Sequence, residues 1–345
     1  MGLEPETAGD LQSHVFPRGW FQVGWSGELK RGDVVPLRYF DKDLVLFRTN
    51  QGVATVLDAH CRHLGAHLGY GGRVEDECIV CPFHEWKWAA DGRHVATPYS
   101  ERQTQRARIR AWPTVETAGL ICVWYDSEGV RPQWEAPSIP EATDGSFQPP
   151  WPLATKKWSS VATQPQYVTE NMVDVSHLKS VHRAANPGTL TSISENGPRV
   201  HVVLTLGIGE GKKATALTPE GPLKTILEAT GEGMGFTVFK FVDLSPTRYV
   251  TSVTPVDHKL SDVRVSLFLP KDRGTNGDEL SPWGKATLAE IVKQNERDFH
   301  VFRTLQYVEH PPFTPEERKS YPLLRKWTQQ FYRRQTLPSE ESIEA

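Results

Sequence analysis

The sequence predicts an α+β protein, in which an N-terminal antiparallel β domain precedes a C-terminal domain that combines an antiparallel sheet with helices. Two observations support this class. Short segments of strand-like composition, separated by turns that contain Gly or Asp, fill residues 19–126 and return over residues 199–270. Apolar residues at helical spacing then follow over residues 284–307.

Composition places the chain among ordinary globular proteins. It has 345 residues, of which 38% are hydrophobic and 23% charged. A net charge of -3 gives no basic surface for nucleic acid, and no apolar run approaches the roughly 20 residues that span a bilayer. Four cysteines are too few for a disulfide framework, and the N-terminus lacks a signal-peptide pattern. We therefore expect a cytoplasmic protein without a nucleic-acid or membrane partner.

Segment composition suggests the domain limits. We expect a flexible lead over residues 1–16 and a first domain over residues 17–130. Residues 131–152 contain six prolines and predict an extended linker. A second domain over residues 153–335 and an acidic tail over residues 336–345 complete the chain.

Eight segments carry the strand prediction. They are rich in β-branched and aromatic residues, and several alternate apolar with polar residues, which indicates a sheet with one face on a core or pocket. Residues 207–235 are rich in Gly and Lys and predict loops. The predicted strands are residues 34–40, 44–48, 53–57, 120–125, 201–206, 236–241, 249–253 and 263–269.

Residues 58–88 contain two short clusters of metal-ligand residue types. Cys61 and His63 are separated by one residue, and Cys81 and His84 by two. One thiolate and one imidazole from each of two loops fit a structural zinc or a Rieske [2Fe-2S] cluster. Zinc signatures usually pair like ligands, so the mixed pairs favour the iron–sulfur cluster.

Three neighbouring residues could compete for metal. Cys78 forms a C-x2-C pair with Cys81, but its apolar surroundings indicate a buried small hydrophobic residue. His60 and His67 flank the first loop, where we expect supporting or surface groups.

A second set of metal-ligand residue types follows the linker, at Asp174, His177 and His182. On a regular helix, His182 would lie about 140° around the axis from His177. If both histidines bind one metal, the helix must end or distort between them. The alternative is a surface helix with two incidental histidines, but an iron–sulfur cluster in the same chain favours the metal.

Asp298 lies on the apolar face of the predicted helix 284–307, whereas Glu296 points elsewhere and is the expected exposed acid. A buried carboxylate needs a partner, either a metal or an Arg. With His177 and His182, Asp298 would complete the two-His, one-carboxylate set of non-haem Fe(II) oxygenases.

These motifs resemble the oxygenase component of Rieske non-haem iron oxygenases, and within that superfamily the 3-ketosteroid 9α-hydroxylase and sterol-modifying branch. The likeness covers most of the chain. Glu85, where most members carry Gly, and residues 327–332 indicate the steroid branch, whereas Phe302 stands where the ring is usually Trp. The segments that carry the resemblance are residues 18–20, 61–65, 81–88, 97–99, 170–182, Asp298 and 325–332.

The resemblance implies a Rieske non-haem iron monooxygenase. Cys61, His63, Cys81 and His84 would hold the [2Fe-2S] cluster, and His177, His182 and Asp298 a mononuclear Fe(II) in a domain with a curved antiparallel sheet flanked by helices. O2 would be the co-substrate.

The chain carries no complete nucleotide-binding motif. Electrons would therefore come from a separate NAD(P)H-dependent reductase, directly or through a ferredoxin. The expected reaction is hydroxylation of a small apolar ring substrate such as a steroid. Desaturation, oxidative demethylation and ring closure use the same machinery.

The resemblance also implies a homotrimer in which the Asp174 carboxylate bridges His84 of one protomer to His177 of the next. Asp174 is thus a candidate catalytic residue. The rival prediction is a non-catalytic Rieske electron carrier or a zinc-stabilised binding protein.

Overall fold

The computed structural model describes part of the chain in detail. Phe16 is buried and stacks on His258 with ring centroids 4.6 Å apart. The rest of the predicted lead and the acidic tail 336–345 lie outside the described residues, and the predicted domain limits stay predictions. The described residues are 16–101, 107–184, 187–208, 221, 223–242 and 244–332.

Eleven strands form three antiparallel sheets in the first part of the chain. Their orders are β1–β11–β10, β2–β3–β4–β9 and β5–β6–β7–β8. In the last of these sheets, β5 and β6 lie in sequence between the two candidate cluster loops, and β7 and β8 follow the second loop. The strands are β1 (Gly19–Trp25), β2 (Val34–Tyr39), β3 (Lys42–Arg48), β4 (Ala54–Asp58), β5 (Arg73–Glu75), β6 (Cys78–Val80), β7 (Lys87–Ala89), β8 (His94–Ala96), β9 (Ala111–Trp112), β10 (Thr114–Thr117) and β11 (Leu120–Tyr125).

The second part is built on an eight-stranded antiparallel sheet. Its order is β12–β19–β18–β17–β16–β15–β14, and β13 also pairs with β19. The elements are β12 (Phe147–Gln148), β13 (Thr155–Ala162), α1 (Pro165–Glu170), α2 (His177–Ser180), β14 (Thr189–Asn196), β15 (Arg199–Ile208), β16 (Leu223–Glu232), β17 (Phe236–Phe241), β18 (Arg248–Pro255), β19 (Leu260–Pro270), α3 (Lys271–Gly274), β20 (Thr275–Asn276), β21 (Glu279–Leu280), α4 (Pro282–Phe302) and α5 (Tyr321–Thr328).

Strand register decides what each face of the large sheet covers. Ala229, Phe239, Tyr249 and Leu267 lie opposite one another on successive strands and share one face. Helices α4 and α5 pack on this face through clusters that include Ile291 and Trp327, respectively. The sheet therefore has helices over the face that carries Tyr249.

The opposite face packs on the first domain. Trp20 and Trp124 share a buried cluster with Phe236, Val250 and Phe268 of the large sheet. Because side chains alternate along a strand, the other residues of β1 and β11 fill the core of the first domain. Both strands are consequently buried along their whole length.

A buried polar network also joins the two parts. The Tyr39 hydroxyl donates to Asp262 Oδ2 at 2.8 Å, and Arg264 Nη2 donates to the Tyr39 oxygen at 2.6 Å. Arg264 also donates to the carbonyl of Gln22. Each charge in the network therefore has partners despite its burial.

The predicted α+β class is confirmed. The predicted helix 284–307 is shorter in the structure, because its last buried apolar residue is Phe302 and Leu305 is exposed. Part of the predicted loop region 207–235 forms β16. Among the residues that the structure describes, no helix is long and apolar enough to cross a membrane.

Candidate metal centres

The two cluster loops have the same backbone hydrogen-bond pattern. In each, the Cys N–H donates to the carbonyl five residues later, and the N–H four residues later donates to the Cys carbonyl. Each loop is therefore a tight turn that places one Cys and one His side by side. The four bonds are Cys61 N to Ala66 O (2.9 Å), Gly65 N to Cys61 O (2.9 Å), Cys81 N to Trp86 O (2.9 Å) and Glu85 N to Cys81 O (3.1 Å).

Gly65 and Glu85 occupy equivalent positions, and both have left-handed backbones, with φ of 78° and 57°. Glycine adopts this conformation freely, whereas another L-residue is strained there. The Glu85 carboxylate accepts from Arg73 at 3.0 Å. The left-handed backbone thus explains why Gly suits this loop position, and the Glu85 side chain found there instead forms an ion pair with Arg73.

The four predicted cluster ligands converge. The His63 and His84 rings are 4.7 Å apart, and Cys61 and Cys81 are each 2% exposed. Burial raises the pKa of the Cys61 thiol, so the thiolate needs a cation beside it. Nδ1 of each imidazole is buried without a hydrogen-bond partner among the described residues. Two unpartnered nitrogens and two buried sulfurs fit a [2Fe-2S] cluster.

The neighbouring candidates have other partners. His60 Nδ1 lies 2.9 Å from the carbonyl of Gly65, and its ring packs edge-on against His67. These contacts agree with the supporting or surface role predicted for His60 and His67. Cys78 lies in β6, where it pairs with Ala89 of β7, and it is partly rather than fully buried, contrary to the prediction.

The second set of predicted ligands also converges. His177 Nε2 lies 3.1 Å from His182 Nε2, and Asp298 Oδ1 lies 3.2 Å from His182 Nε2 and 3.9 Å from His177 Nε2. Helix α2 ends at Ser180, between the two histidines, as a shared site requires. The ion pairs recorded for Asp298 are with these histidines rather than with an Arg, and Glu296 is exposed as predicted.

Hydrogen bonds orient the His177 ring. Its Nδ1 donates to the Asp174 carbonyl at 2.5 Å, which leaves the Nε2 lone pair facing the site. Burial opposes a charge on His177, but the Asp174 and Asp298 carboxylates outweigh it and raise its pKa. His182 Nδ1 is buried and has no partner among the described atoms. The donor set of two imidazoles and one carboxylate fits a divalent transition metal.

Asp174 lies at the edge of this site, with 30% of its side chain exposed. Its Oδ1 accepts from the N–H groups of Ser176 at 3.0 Å and His177 at 3.1 Å. Burial opposes its charge, but His177 and these N–H groups lower the pKa of Asp174. The carboxylate is thus held charged, and part of it remains accessible.

A cavity of about 760 Å³, counted with its open mouth, adjoins the three ligands. Its wall is mainly apolar, as in most small-molecule sites. The apolar lining includes Leu204, Leu227, Phe239, Val263, Phe299 and Phe302. The polar lining comprises Asn171, Tyr249, Thr251, Gln294 and Asn295, besides the ligands themselves.

Sequence reasoning missed two aromatic side chains of these centres. Tyr249 lines the cavity and stacks on Phe239 with centroids 4.4 Å apart. Burial and the Asp298 charge raise its pKa, which keeps it a neutral donor. Trp86 stacks on His63 with centroids 4.5 Å apart. Of the two, only Trp86 had a signal in the sequence, because it lies within residues 81–88, which resemble the second cluster loop of the family.

The fold and the paired Cys–His loops define a protein with a Rieske [2Fe-2S] domain, and the model of that domain matches residues 19–115. A second family model, the 3-ketosteroid 9α-hydroxylase C-terminal domain, matches residues 123–332. The chain belongs to this family. The predicted resemblance to the steroid branch of Rieske oxygenases is therefore confirmed.

Similar proteins agree with this assignment. Cholesterol 7-desaturase of Caenorhabditis elegans is 30% identical over 92% of this chain and 77% of its own length. The oxygenase component of 3-ketosteroid-9-alpha-monooxygenase from Rhodococcus rhodochrous is 27% identical over 92% of this chain and 84% of its own.

Solved structures share the fold. Dicamba monooxygenase bound to dicamba has a TM-score of 0.68 at 16% identity, over 92% of this chain and 98% of that one. NdmA of Pseudomonas putida with caffeine has a TM-score of 0.67 at 18% identity, over 90% and 89%.

Proposed function

We propose that the chain is the terminal oxygenase of a multicomponent system that oxidises a C–H bond of an apolar ring substrate, with a steroid as first choice. One observation carries the proposal: His177, His182 and Asp298 converge beside an apolar cavity, in a chain that also holds a Rieske domain. In the expected hydroxylation, R–H, O2, two electrons and two protons yield R–OH and water. A separate NAD(P)H-dependent reductase supplies the electrons, directly or through a ferredoxin.

Cys61, His63, Cys81 and His84 would hold the cluster, and the three converging side chains a mononuclear iron. When bound, the cluster supplies single electrons, and the iron supplies an open coordination position for O2. The protein contributes binding, orientation and electrostatics. His177 is oriented by the Asp174 carbonyl, and the largely buried Asp298 carboxylate would offset the charge of a cation.

The cavity wall positions the substrate and excludes water. Phe239, Phe299 and Phe302 present apolar surface beside the ligands. The Tyr249 hydroxyl has no hydrogen-bond partner recorded among the described residues, so it can donate to an oxygen of the substrate. A rigid ring system with one polar group fits this combination.

We further propose that the protein assembles as a ring-shaped homotrimer. Leu64 and Phe83, one beside each predicted cluster histidine, are 65% and 60% exposed and offer apolar surface to a second protomer. Asp174 is partly exposed at the edge of the second site. A head-to-tail contact would bring His84 of one protomer to Asp174 of the next, and the carboxylate would link the two ligand imidazoles.

The names of the relatives support a steroid substrate and leave two outcomes. One relative is a 3-ketosteroid 9α-monooxygenase component and the other a cholesterol 7-desaturase. Desaturation would remove two hydrogens from the substrate while O2 is reduced to water. Oxidative demethylation and ring closure complete the set of alternatives.

A product screen tests the proposal. The purified protein, a surrogate reductase, NADH and ¹⁸O2 are incubated with a panel of 3-keto and 3-hydroxy steroids, and products are identified by mass spectrometry. Hydroxylation adds one ¹⁸O atom, whereas desaturation lowers the mass by two hydrogens. A fully metallated protein that consumes reductant yet converts no steroid or other apolar ring compound would favour the electron carrier.

A further inference from the structure

A largely buried ion pair joins α5 to the segment that carries the second site. Arg325 Nε donates to Glu170 Oε1 and Arg325 Nη2 to Glu170 Oε2, each at 2.9 Å. The two side chains are only 15% and 13% exposed. Because the guanidinium makes a bidentate contact with the carboxylate, the pair fixes the relative orientation of the two side chains as well as their distance.

Arg325 also fixes the segment that follows α4. Its Nη1 donates to the carbonyls of Val308 at 2.7 Å and Glu309 at 3.0 Å. Its guanidinium lies over the Tyr307 ring, 4.8 Å from the centroid. One side chain of α5 therefore bonds both to the end of α1 and to the segment that follows α4, the helix that supplies Asp298.

The backbone and three hydrogen bonds connect this pair to His177. The Val173 N–H donates to the Glu170 carbonyl at 3.1 Å, which closes the turn before Asp174. The Asp174 carboxylate accepts from the His177 N–H, and the Asp174 carbonyl accepts from His177 Nδ1. Glu170 lies four residues before Asp174, so any shift of Glu170 moves this turn.

We propose that Arg325 is a positioning residue, which acts through Glu170 to set where the Asp174 carboxylate and the His177 imidazole lie. The inference rests on the proposed function of these two residues. The proposal also gives a role to Arg325 within residues 325–332, one of the segments that carry the family resemblance. Tyr321, one turn earlier on α5, lies beside Asp174 as well, and burial together with the Asp174 charge raises its pKa.

A second Arg–Glu pair provides a matched control. Arg48 makes two bonds to Glu116, at 2.8 and 2.6 Å, and also donates to the backbone carbonyls of Leu29, Gly52 and Ser26. Its side chain is 11% exposed, so its removal should also destabilise the protein. It lies in the first domain, in β3, and has no bond to the turn at Asp174.

The test measures hydrogen–deuterium exchange in the purified full-length holoprotein, in the peptide covering residues 171–182. In the wild type, local opening of this segment must break the ion pair with Arg325. Arg325→Gln removes that cost, so exchange in the peptide should rise by about tenfold. Arg48→Gln should leave this peptide unchanged. Arg325→Lys, which keeps the charge but loses the paired geometry, should fall between Arg325→Gln and the wild type.

The same variants are then assayed for single-turnover product per mononuclear iron. Arg325→Gln should lose most of this yield, whereas Arg48→Gln should keep it. If Arg325→Gln does not fold, Glu170→Gln, which retains one acceptor, replaces it. Unchanged exchange in residues 171–182, or an equal rise in Arg48→Gln, would overturn the inference. Exchange requires no turnover, so a protein that binds no mononuclear iron would refute the proposed function alone.

Discussion

His177 Nε2 lies 3.1 Å from His182 Nε2, with a carboxylate oxygen of Asp298 3.2 Å from the second nitrogen. The Nδ1 proton of His177 is committed to the Asp174 carbonyl, so its Nε2 carries a lone pair. A lone pair, a second imidazole and a carboxylate directed at one point are the environment of a cation.

Asp174→Asn should leave both metal sites occupied but slow substrate oxidation by about tenfold to a hundredfold. The amide has nearly the same shape, yet it lacks the charge that pairs with an imidazole on each side. Iron content, the Rieske EPR signal and single-turnover product formation measure these effects. Asp278→Asn, an exposed position, serves as control. Substrate-dependent cluster oxidation as fast as in the wild type would refute the bridging role.

Tyr249→Phe should raise KM about fivefold for a steroid that presents an oxygen to the cavity, with little change in kcat. One hydrogen bond is worth about 1 kcal/mol, and the ring stacked on Phe239 is kept. A parent steroid without that oxygen provides the comparison and should show no change. Equal effects on both compounds would mean that Tyr249 acts only through packing.

Glu85→Gly should increase the free energy of unfolding by up to about 1 kcal/mol, because it removes a left-handed non-glycine residue. The lost ion pair with Arg73 is half exposed and contributes little. Removing a negative charge beside His84 should also raise the reduction potential of the cluster. Denaturant unfolding and EPR-monitored redox titration measure the two effects.

Gly65→Ala is the matched control in the first loop. The space around this glycine is open, so only the strain of its φ of 78° should matter, and stability should fall by about 1 kcal/mol. If Glu85→Gly destabilises the protein while Gly65→Ala does not, the equivalence of the two turns is wrong.

Asp262→Asn should destabilise the protein by about 3 kcal/mol at pH 7, since it leaves Arg264 buried without its carboxylate. Burial opposes the charge of Asp262, but Arg264, the Ser160 N–H and Lys157 lower its pKa below the unfolded value of 3.8. A lowered folded pKa gives stability that is present above pH 3.8 and lost as pH falls through the folded value. Urea unfolding from pH 7 to pH 3 should therefore show the variant and the wild type converging. A constant difference would contradict this sign.

The sequence predicted which candidate ligands would converge because their signals are local. Spacing within each loop identified the cluster residues, and helical period placed Asp298 on a buried face. Contacts between residues that are far apart in the sequence have no local signal and were not predicted. Glu170 and Arg325 are 155 residues apart, and Tyr249 joins the cavity only because strand register sets it opposite Phe239. Neither relationship has a local pattern in the sequence.

Metal analysis with EPR tests the central claim, that His177, His182 and Asp298 hold iron in a Rieske protein. We expect about three irons per chain and a Rieske signal in the wild type, and about two irons with an unchanged signal in His177→Ala. About two irons in both proteins, or zinc without visible absorption, would contradict it.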